Sequence, residues 1–257
     1  MIKEKFDLTG KTAFVTGSAR GIGRALAAGL AEFGAHVIVH GSKPSVPLDD
    51  ALAYVRQWDP TAFAVTGDLS SNESIDGLFA QMAEKGVAAP DILICNASTQ
   101  KNVPWHEIPA EDAYNQMQVN FHATLRMFQT VYPSMKAKGW GRMIVVGSVQ
   151  ELRPHPLMAV YAASKSAQEN LVRNLARQIS KEGITVNNLC PGVFATDRNK
   201  DALSNPVYAE KVMNAIPMHD YARPEDAVGT AVLLASDAGR YITGTTILVD
   251  GGLRLPG

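Results

Sequence analysis

Residues 160–167 read VYAASKSA, with Tyr161 and Lys165 four positions apart. That spacing brings two side chains onto one face of a helix, so a phenol and an ammonium stand side by side. Two readings follow. Either the pair is a proton-transfer device, in which the cation draws down a phenol whose ordinary pKa is about 10, or it is an aromatic and a cation sharing a face by chance. Spacing alone favours the second. Two further residues bear on the choice. Ser148 closes the apolar run RMIVVGS, and Asn120 lies in QVNFHA, within an apolar helical stretch where an Asn is intrinsically awkward.

These residues act together only if the chain brings a strand end and a helix start to one place. Short apolar runs recur at 12–17, 36–41, 62–68, 91–98, 142–148, 184–192 and 245–252. Most are almost continuously apolar and rich in Val and Ile, as a parallel sheet covered on both faces requires. Amphipathic segments at 23–33, 71–85, 110–138, 161–181 and 224–236 lie between them and supply crossover helices. The expectation is an α/β fold, a Rossmann-like doubly wound sheet of seven mainly parallel strands with helices on both faces, in one domain over 1–257. Ligands of such sheets sit at the C-terminal strand edge, where Ser148 belongs. The Pro-containing stretches at 43–47 and 199–218 read as loops, with a substrate lid near 197–218.

After the first strand comes TGSARGIG, Thr16 to Gly23, running straight into a helix-like segment. Gly17, Gly21 and Gly23, with Ser18, Arg20 and Ile22 between them, allow a tight turn whose N–H groups and helix start face a phosphate. At the end of the second strand, about 20 residues on, an acid commonly holds the ribose 2′-hydroxyl of NAD. Here Gly41 stands in its place, followed by Ser42 and Lys43. A hydroxyl and a cation suit a 2′-phosphate, with Arg20 adding charge, so NADP(H) is preferred and NAD(H) possible. The plainer alternative leaves Lys43 and Arg20 as solvated cations. Asp68 is placed either to bond an adenine amino group, with the Leu69 backbone against the ring, or to cap the following helix.

Taken in order, these motifs resemble the short-chain dehydrogenase/reductase family in its form of about 250 residues. TGSARGIG is similar to its TGxxxGIG turn, NAS at 96–98 to its NAG, YAASK to its YxxxK, and PGVFAT at 191–196 to its PGxxxT. The resemblance covers about residues 6–252. It implies Tyr161 as general acid/base, Lys165 lowering its pKa and bonding the nicotinamide ribose, Ser148 orienting the substrate oxygen, and Asn120 holding a water in a proton relay. It also implies cofactor contacts at Asn96, Ala97, Pro191, Gly192, Val193 and Thr196, and a homotetramer built through the 110–138 and 162–181 helices and the last strand. The sequence departs from the family at Ser98, where Gly is usual; the added side chain is expected beside the adenine ribose.

Between Ser148 and Tyr161 the chain reads VQELRPHPLMAV, and Gln150 and His155 are candidate substrate contacts. Polar residues there suit a sugar, polyol or hydroxy acid; the apolar ones suit an acyl or ketone chain. The similarity to 3-oxoacyl-carrier-protein reductases and to sugar-acid and polyol dehydrogenases is about equal. Six histidines, at 36, 40, 106, 122, 155 and 219, are mostly isolated along the chain and read as structural or solvated, so no metal is expected. With 24 Lys plus Arg against 25 Asp plus Glu, the charge balance draws neither nucleic acid nor an anionic membrane. Cys95 and Cys190 sit in apolar stretches and read as buried thiols. The N-terminal MIKEKFDLTGKTAFVTG has no signal-type apolar core, and no run reaches membrane-spanning length. A soluble cytoplasmic protein is the expectation. Two function classes stand: an NADP-preferring oxidoreductase acting on a small carbonyl or secondary alcohol, and a catalytically silent dinucleotide-binding sensor or interaction protein. The competent residues at all four reactive positions favour the first.

Overall fold

The computed structural model describes residues 1–255; the last two positions of the expected 1–257 domain lie outside the described residues. The apolar runs form β1 (Thr12–Val15), β2 (His36–Gly41), β3 (Phe63–Thr66), β4 (Ile92–Cys95), β5 (Gly141–Val146), β6 (Ile184–Pro191) and β7 (Thr246–Val249). They build one sheet in the order β3-β2-β1-β4-β5-β6-β7, with every neighbouring pair parallel. Every residue of β4, β5 and β6 is buried, which is why those runs carry almost no alternation.

Successive strand residues face opposite sides of the sheet and so enter two cores. Ala13, Val15, Val37, Val39, Ile94 and Leu189 pack with α1 (Gly21–Glu32) and α9 (Val228–Ala235) on one face. Phe14, Ile38, Leu93, Val145 and Val186 pack on the other with α3 (Asn72–Glu84), α5 (Ala123–Lys138) and α6 (Ala159–Ile179). Fully burying one such side chain contributes about 1.5–3 kcal/mol. The strand order reverses between β1 and β4, and this switch point opens the crevice above the C-terminal strand ends.

Three segments differ from the sequence expectation. The stretch 43–47 is not wholly loop: Pro47 lies in the first turn of α2 (Val46–Val55), where a missing N–H costs nothing. The stretch 199–218 carries two short helices, α7 (Asp197–Leu203) and α8 (Pro206–Asn214); Pro206 opens the second, and Asn205 Oδ1 accepts the Tyr208 N–H at 3.1 Å. The continuous helix over 110–138 is divided: α4 (Ala110–Met117) passes through a π-helical turn, Gln118–His122, before α5. Among the described residues no helix is long and apolar enough to cross a membrane.

Candidate active site

β5 ends two residues before Ser148, which caps a short turn over Val149–Glu151. Ser148 Oγ accepts the Gln150 N–H at 3.2 Å, while the Ser148 N–H donates to Glu151 Oε1 at 2.9 Å. This reciprocal cap fixes the serine at the sheet edge. Two positions into α6 stands Tyr161, and one turn later Lys165; both are buried, at 7% and 1% exposure. Lys165 Nζ donates to the Val146 carbonyl at 2.7 Å and lies 5.7 Å from the centre of the Tyr161 ring. Ser148, Tyr161 and Lys165 are therefore brought together at the end of one strand.

Burial sets the protonation of this group. It pushes Lys165 down from 10.5 to about 8, partly opposed by the Glu151 carboxylate. It pushes Glu151 up from 4.5 to about 7, against bonds from the Ser148 N–H and Asn188 Nδ2. The Tyr161 phenol is raised above its ordinary value, not lowered as the resemblance implied. Desolvation is the largest cause, and Arg198, Ser148 and Ser98 oppose it in that order. The lysine, turned to a carbonyl, is not the leading cation at the phenol.

Asn120 lies in the π-helical turn and is fully buried. Its Oδ1 accepts the Thr99 N–H at 2.9 Å, and its Nδ2 donates to the Thr99 carbonyl at 2.9 Å and to Ser164 Oγ at 3.0 Å. The buried amide is satisfied, which removes the awkwardness it had as a sequence position. It ties the segment after β4 to α6.

The glycine turn is held from below. Gly17 and Gly21 adopt φ of 63° and 56°, which side chains rarely tolerate. A Cβ on Gly23 would come within 2.4 Å of Asn96 Nδ2, so the bare backbone of the helix start makes room for the Asn96 amide that follows β4. Asn96 Nδ2 donates to the carbonyls of Thr16 and Gly17 at 2.9 and 3.1 Å, and the Ala97 N–H donates to Thr16 Oγ1 at 3.0 Å. Ser18 faces inward, its Oγ donating to the Val15 carbonyl and accepting the His40 N–H. These three residues shape the turn rather than project from it. Buried His40 is a fourth brace: Nδ1 accepts the Gly17 N–H and Nε2 donates to the Gly67 carbonyl, each at 3.0 Å, and desolvation lowers its pKa. Above the turn the first N–H groups of α1 have no side-chain cap, since Arg20 supplies no acceptor.

Around this opening, Arg20, Ser42, Lys43 and Asp68 are exposed and Ile22 is half-buried. Asp68 Oδ1 accepts the Ser70 N–H at 2.9 Å, and the cap of α3 is Ser71, whose Oγ accepts the Ser74 N–H. Asp68 is thus not the helix cap; its neighbour Leu69 is buried. Gly41 is tightly enclosed, with a Cβ meeting Leu48 Cδ2 at 3.1 Å. On the facing side, Pro191 ends β6, a Cβ on Gly192 would strike Asp250 at 2.7 Å, and Val193 packs against Ile216 and Leu253. Thr196 lies across from Gly21, 3.4 Å from where a Cβ would stand. The PGVFAT segment and the glycine turn thereby form two walls of one cleft.

The substrate-side residues are only partly as expected. Gln150 Oε1 accepts the His155 N–H at 2.6 Å, and His155 Nδ1 accepts the Leu157 N–H at 3.2 Å. Both side chains brace their own loop. Ser98 differs most: its Oγ and carbonyl accept from Arg198 at 2.9 and 2.8 Å, and its side chain acts on the Tyr161 phenol. It thereby reaches the reactive centre. Two residues escaped the sequence reading. Glu151 had a signal in the capping box SVQE, Ser-x-x-Glu. Arg198 had none, because its partner lies 100 residues away. Among the described residues no group of His, Cys, Asp or Glu could hold a metal ion.

A buried phenol, a hydroxyl and an ammonium at the C-terminal edge, beside an uncapped helix start, can hold an anionic dinucleotide and exchange a proton with an oxygen next to it. The comparisons with known proteins agree with that chemistry. Residues 17–254 match the family model described as enoyl-(acyl carrier protein) reductase. The chain is 33% identical over 249 residues to gluconate 5-dehydrogenase of Gluconobacter oxydans, covering 96% of each. A crystal structure of 3-oxoacyl-(acyl-carrier-protein) reductase from Agrobacterium tumefaciens with NADP bound superposes with a TM-score of 0.91 at 39% identity, over 98% of this chain and 97% of that one. Gluconate 5-dehydrogenase from Burkholderia cenocepacia, in complex with NADP and tartrate, gives 0.91 at 30% identity over the whole of both chains.

Proposed function

The chain belongs to the short-chain dehydrogenase/reductase family of oxidoreductases, and on that premise we propose an NADP-preferring enzyme that interconverts a carbonyl and a secondary alcohol on a small substrate, with Tyr161 as general acid/base. The observation that carries the reading is the meeting of buried Tyr161 and Lys165 with Ser148 at one strand end. The residues present fit a dinucleotide: an uncapped helix start at the switch point, a tight turn through Gly17 and Gly21, and Thr196 on the opposite wall. Exposed Arg20, Ser42 and Lys43, with the crowded Gly41 where an acid would stand, favour a 2′-phosphate. The nicotinamide, when bound, supplies the hydride.

The chain's own residues do the rest. Ser148 and Tyr161 hold the reacting oxygen, and the phenol gives or takes its proton. Its raised pKa suits donation to a developing alkoxide; Lys165 and Arg198 supply positive charge when phenolate forms. The Lys165 ammonium is poised at about 8 to bind a ribose hydroxyl and pass protons. Asn120 holds the relay water and, its amide engaged by Thr99 and Ser164, keeps the β4 segment against α6. The α7–α8 segment closes over the substrate as a lid within the single 1–257 domain. Named relatives act on gluconate and on 3-oxoacyl groups; the gluconate 5-dehydrogenases among them favour the sugar-acid class. The assembly in this reading is a cytoplasmic homotetramer, in which a second copy would cover the half-buried apolar edge strand β7.

The test is initial rates with NADPH and NADH over sugar-derived, acyl and simple carbonyl compounds, for wild type and Tyr161→Phe. We expect faster turnover with NADPH and a loss in the variant of roughly 10²–10⁴-fold or more. Full turnover in the variant sinks the assignment. Tight dinucleotide binding without turnover of any compound favours the sensor class.

A further inference from the structure

Arg198 follows Thr196 by two residues and lies in the first turn of α7. Its guanidinium reaches across the cleft to the chain after β4, with Nη1 on Ser98 Oγ at 2.9 Å and Nη2 on the Ser98 carbonyl at 2.8 Å. Two parallel bonds from one guanidinium are the geometry that recognises a carboxylate, yet both acceptors here are neutral. Arg198 is exposed, and among the described residues no carboxylate forms an ion pair with it, so its charge is free to meet one from outside the chain. Its charge also depresses the proton affinity of both Tyr161 and Lys165, which places it at the reacting end of the cleft. Thr196, two residues before it, stands over Gly21 of the phosphate-facing turn.

We propose that Arg198 is a specificity-determining residue that exchanges its two bonds to Ser98 for the carboxylate of a hydroxy-acid or oxo-acid substrate. This rests on the proposed oxidoreductase reading and narrows it to acids. Charge-assisted bonds are roughly twice as strong as neutral ones, so an incoming carboxylate displaces the Ser98 oxygens. Ser98 is half-exposed, and water takes over its released carbonyl and hydroxyl. The serine that replaces the expected glycine holds the fork in a receptive position until the acid arrives. A neutral polyol offers no such gain and leaves the latch closed.

The experiment is calorimetric titration of the NADPH-loaded protein, a combination with no hydride acceptor, using aldonates of four to six carbons and the matching alditols. Wild type, Arg198→Gln and Arg198→Lys are compared, with melting temperature checked for each. We expect wild type to bind at least one aldonate roughly 10–100-fold tighter than its alditol, the scale of a charge-assisted pair. Arg198→Gln erases that preference, Arg198→Lys keeps part of it, and NADPH affinity holds within about 2-fold in both. No acid preference across the wild-type series overturns the proposal, as does a preference that survives in Arg198→Gln. A variant that loses NADPH affinity instead assigns the guanidinium to the cofactor's phosphates, and likewise overturns it. Failure of the Tyr161→Phe rate test would leave the acid preference untouched, so the two readings fail separately.

Discussion

The two ends of β5 bury cations in opposite ways. At the N-terminal end, Arg142 is 2% exposed, and its guanidinium donates to Asp237 at 3.0 Å and to the carbonyls of Gly141, Gly183 and Ser236. Its neighbours are treated alike: Asp91 accepts from Lys138 at 2.6 Å and from the Thr12 N–H at 3.0 Å. Beyond the C-terminal end, Lys165 is equally buried but bonds one carbonyl, Glu151 is met only by neutral donors, and Arg198 holds neutral acceptors. Opposite charges are close enough to be felt yet form no direct pair. A saturated cation holds a fold together, whereas an unsaturated one is available to a ligand.

The sharpest way to break this comparison is to neutralise one cation at each end. Lys165→Met should lower kcat/KM by roughly 10²–10⁴-fold, the usual range for losing a partner in acid–base catalysis. Its melting temperature should not fall, since the change removes a costly buried charge. Steady-state rates with thermal unfolding check both halves; full activity, or a collapse in stability, would put the lysine in the same class as Arg142. Arg142→Met should do the reverse. Removing it takes a charged donor from three carbonyls and leaves Asp237 with only the Trp140 N–H, costing about 3 kcal/mol, near the lower end for a broken buried pair because Asp237 is half exposed. Denaturant unfolding reads that loss, and kcat per folded molecule should stay at the wild-type value.

The sequence made the frame of this site legible and left its wiring obscure. Continuous Val-rich and Ile-rich runs imposed a parallel sheet, and strand ends beside Gly17 and Ser148 located the crevice, because both signals are local. The π-helical turn at Asn120 showed only as an unplaced polar residue. Pro47 and Pro206 read as loop markers although each opens a helix, since proline is tolerated in a first turn as readily as in a loop. Contacts across long separations carried no local trace: Arg198 with Ser98, or Asn96 with Thr16 and Gly17. Desolvation at Tyr161 likewise depends on the whole fold above it.

The same contrast has a pH signature, smaller than the mutational effects. Glu151, raised from 4.5 to about 7, holds more protons folded than unfolded between those values, so its contribution makes stability fall as pH rises through that window. Lys165, lowered from 10.5 to about 8, holds fewer protons folded than unfolded, so its contribution makes stability rise between about pH 8 and 10.5. The two together put the site's least favourable state near pH 7 to 8, where both groups are charged and ready to act. Glu151→Gln removes the acid-side slope and keeps an amide able to accept from the Ser148 N–H. The difference in unfolding free energy between wild type and Glu151→Gln should therefore move against wild type from pH 5 to 8 and stay flat above. A flat difference throughout would mean that Glu151 is solvated in the folded protein, and that the C-terminal end of β5 carries its charges as comfortably as the other.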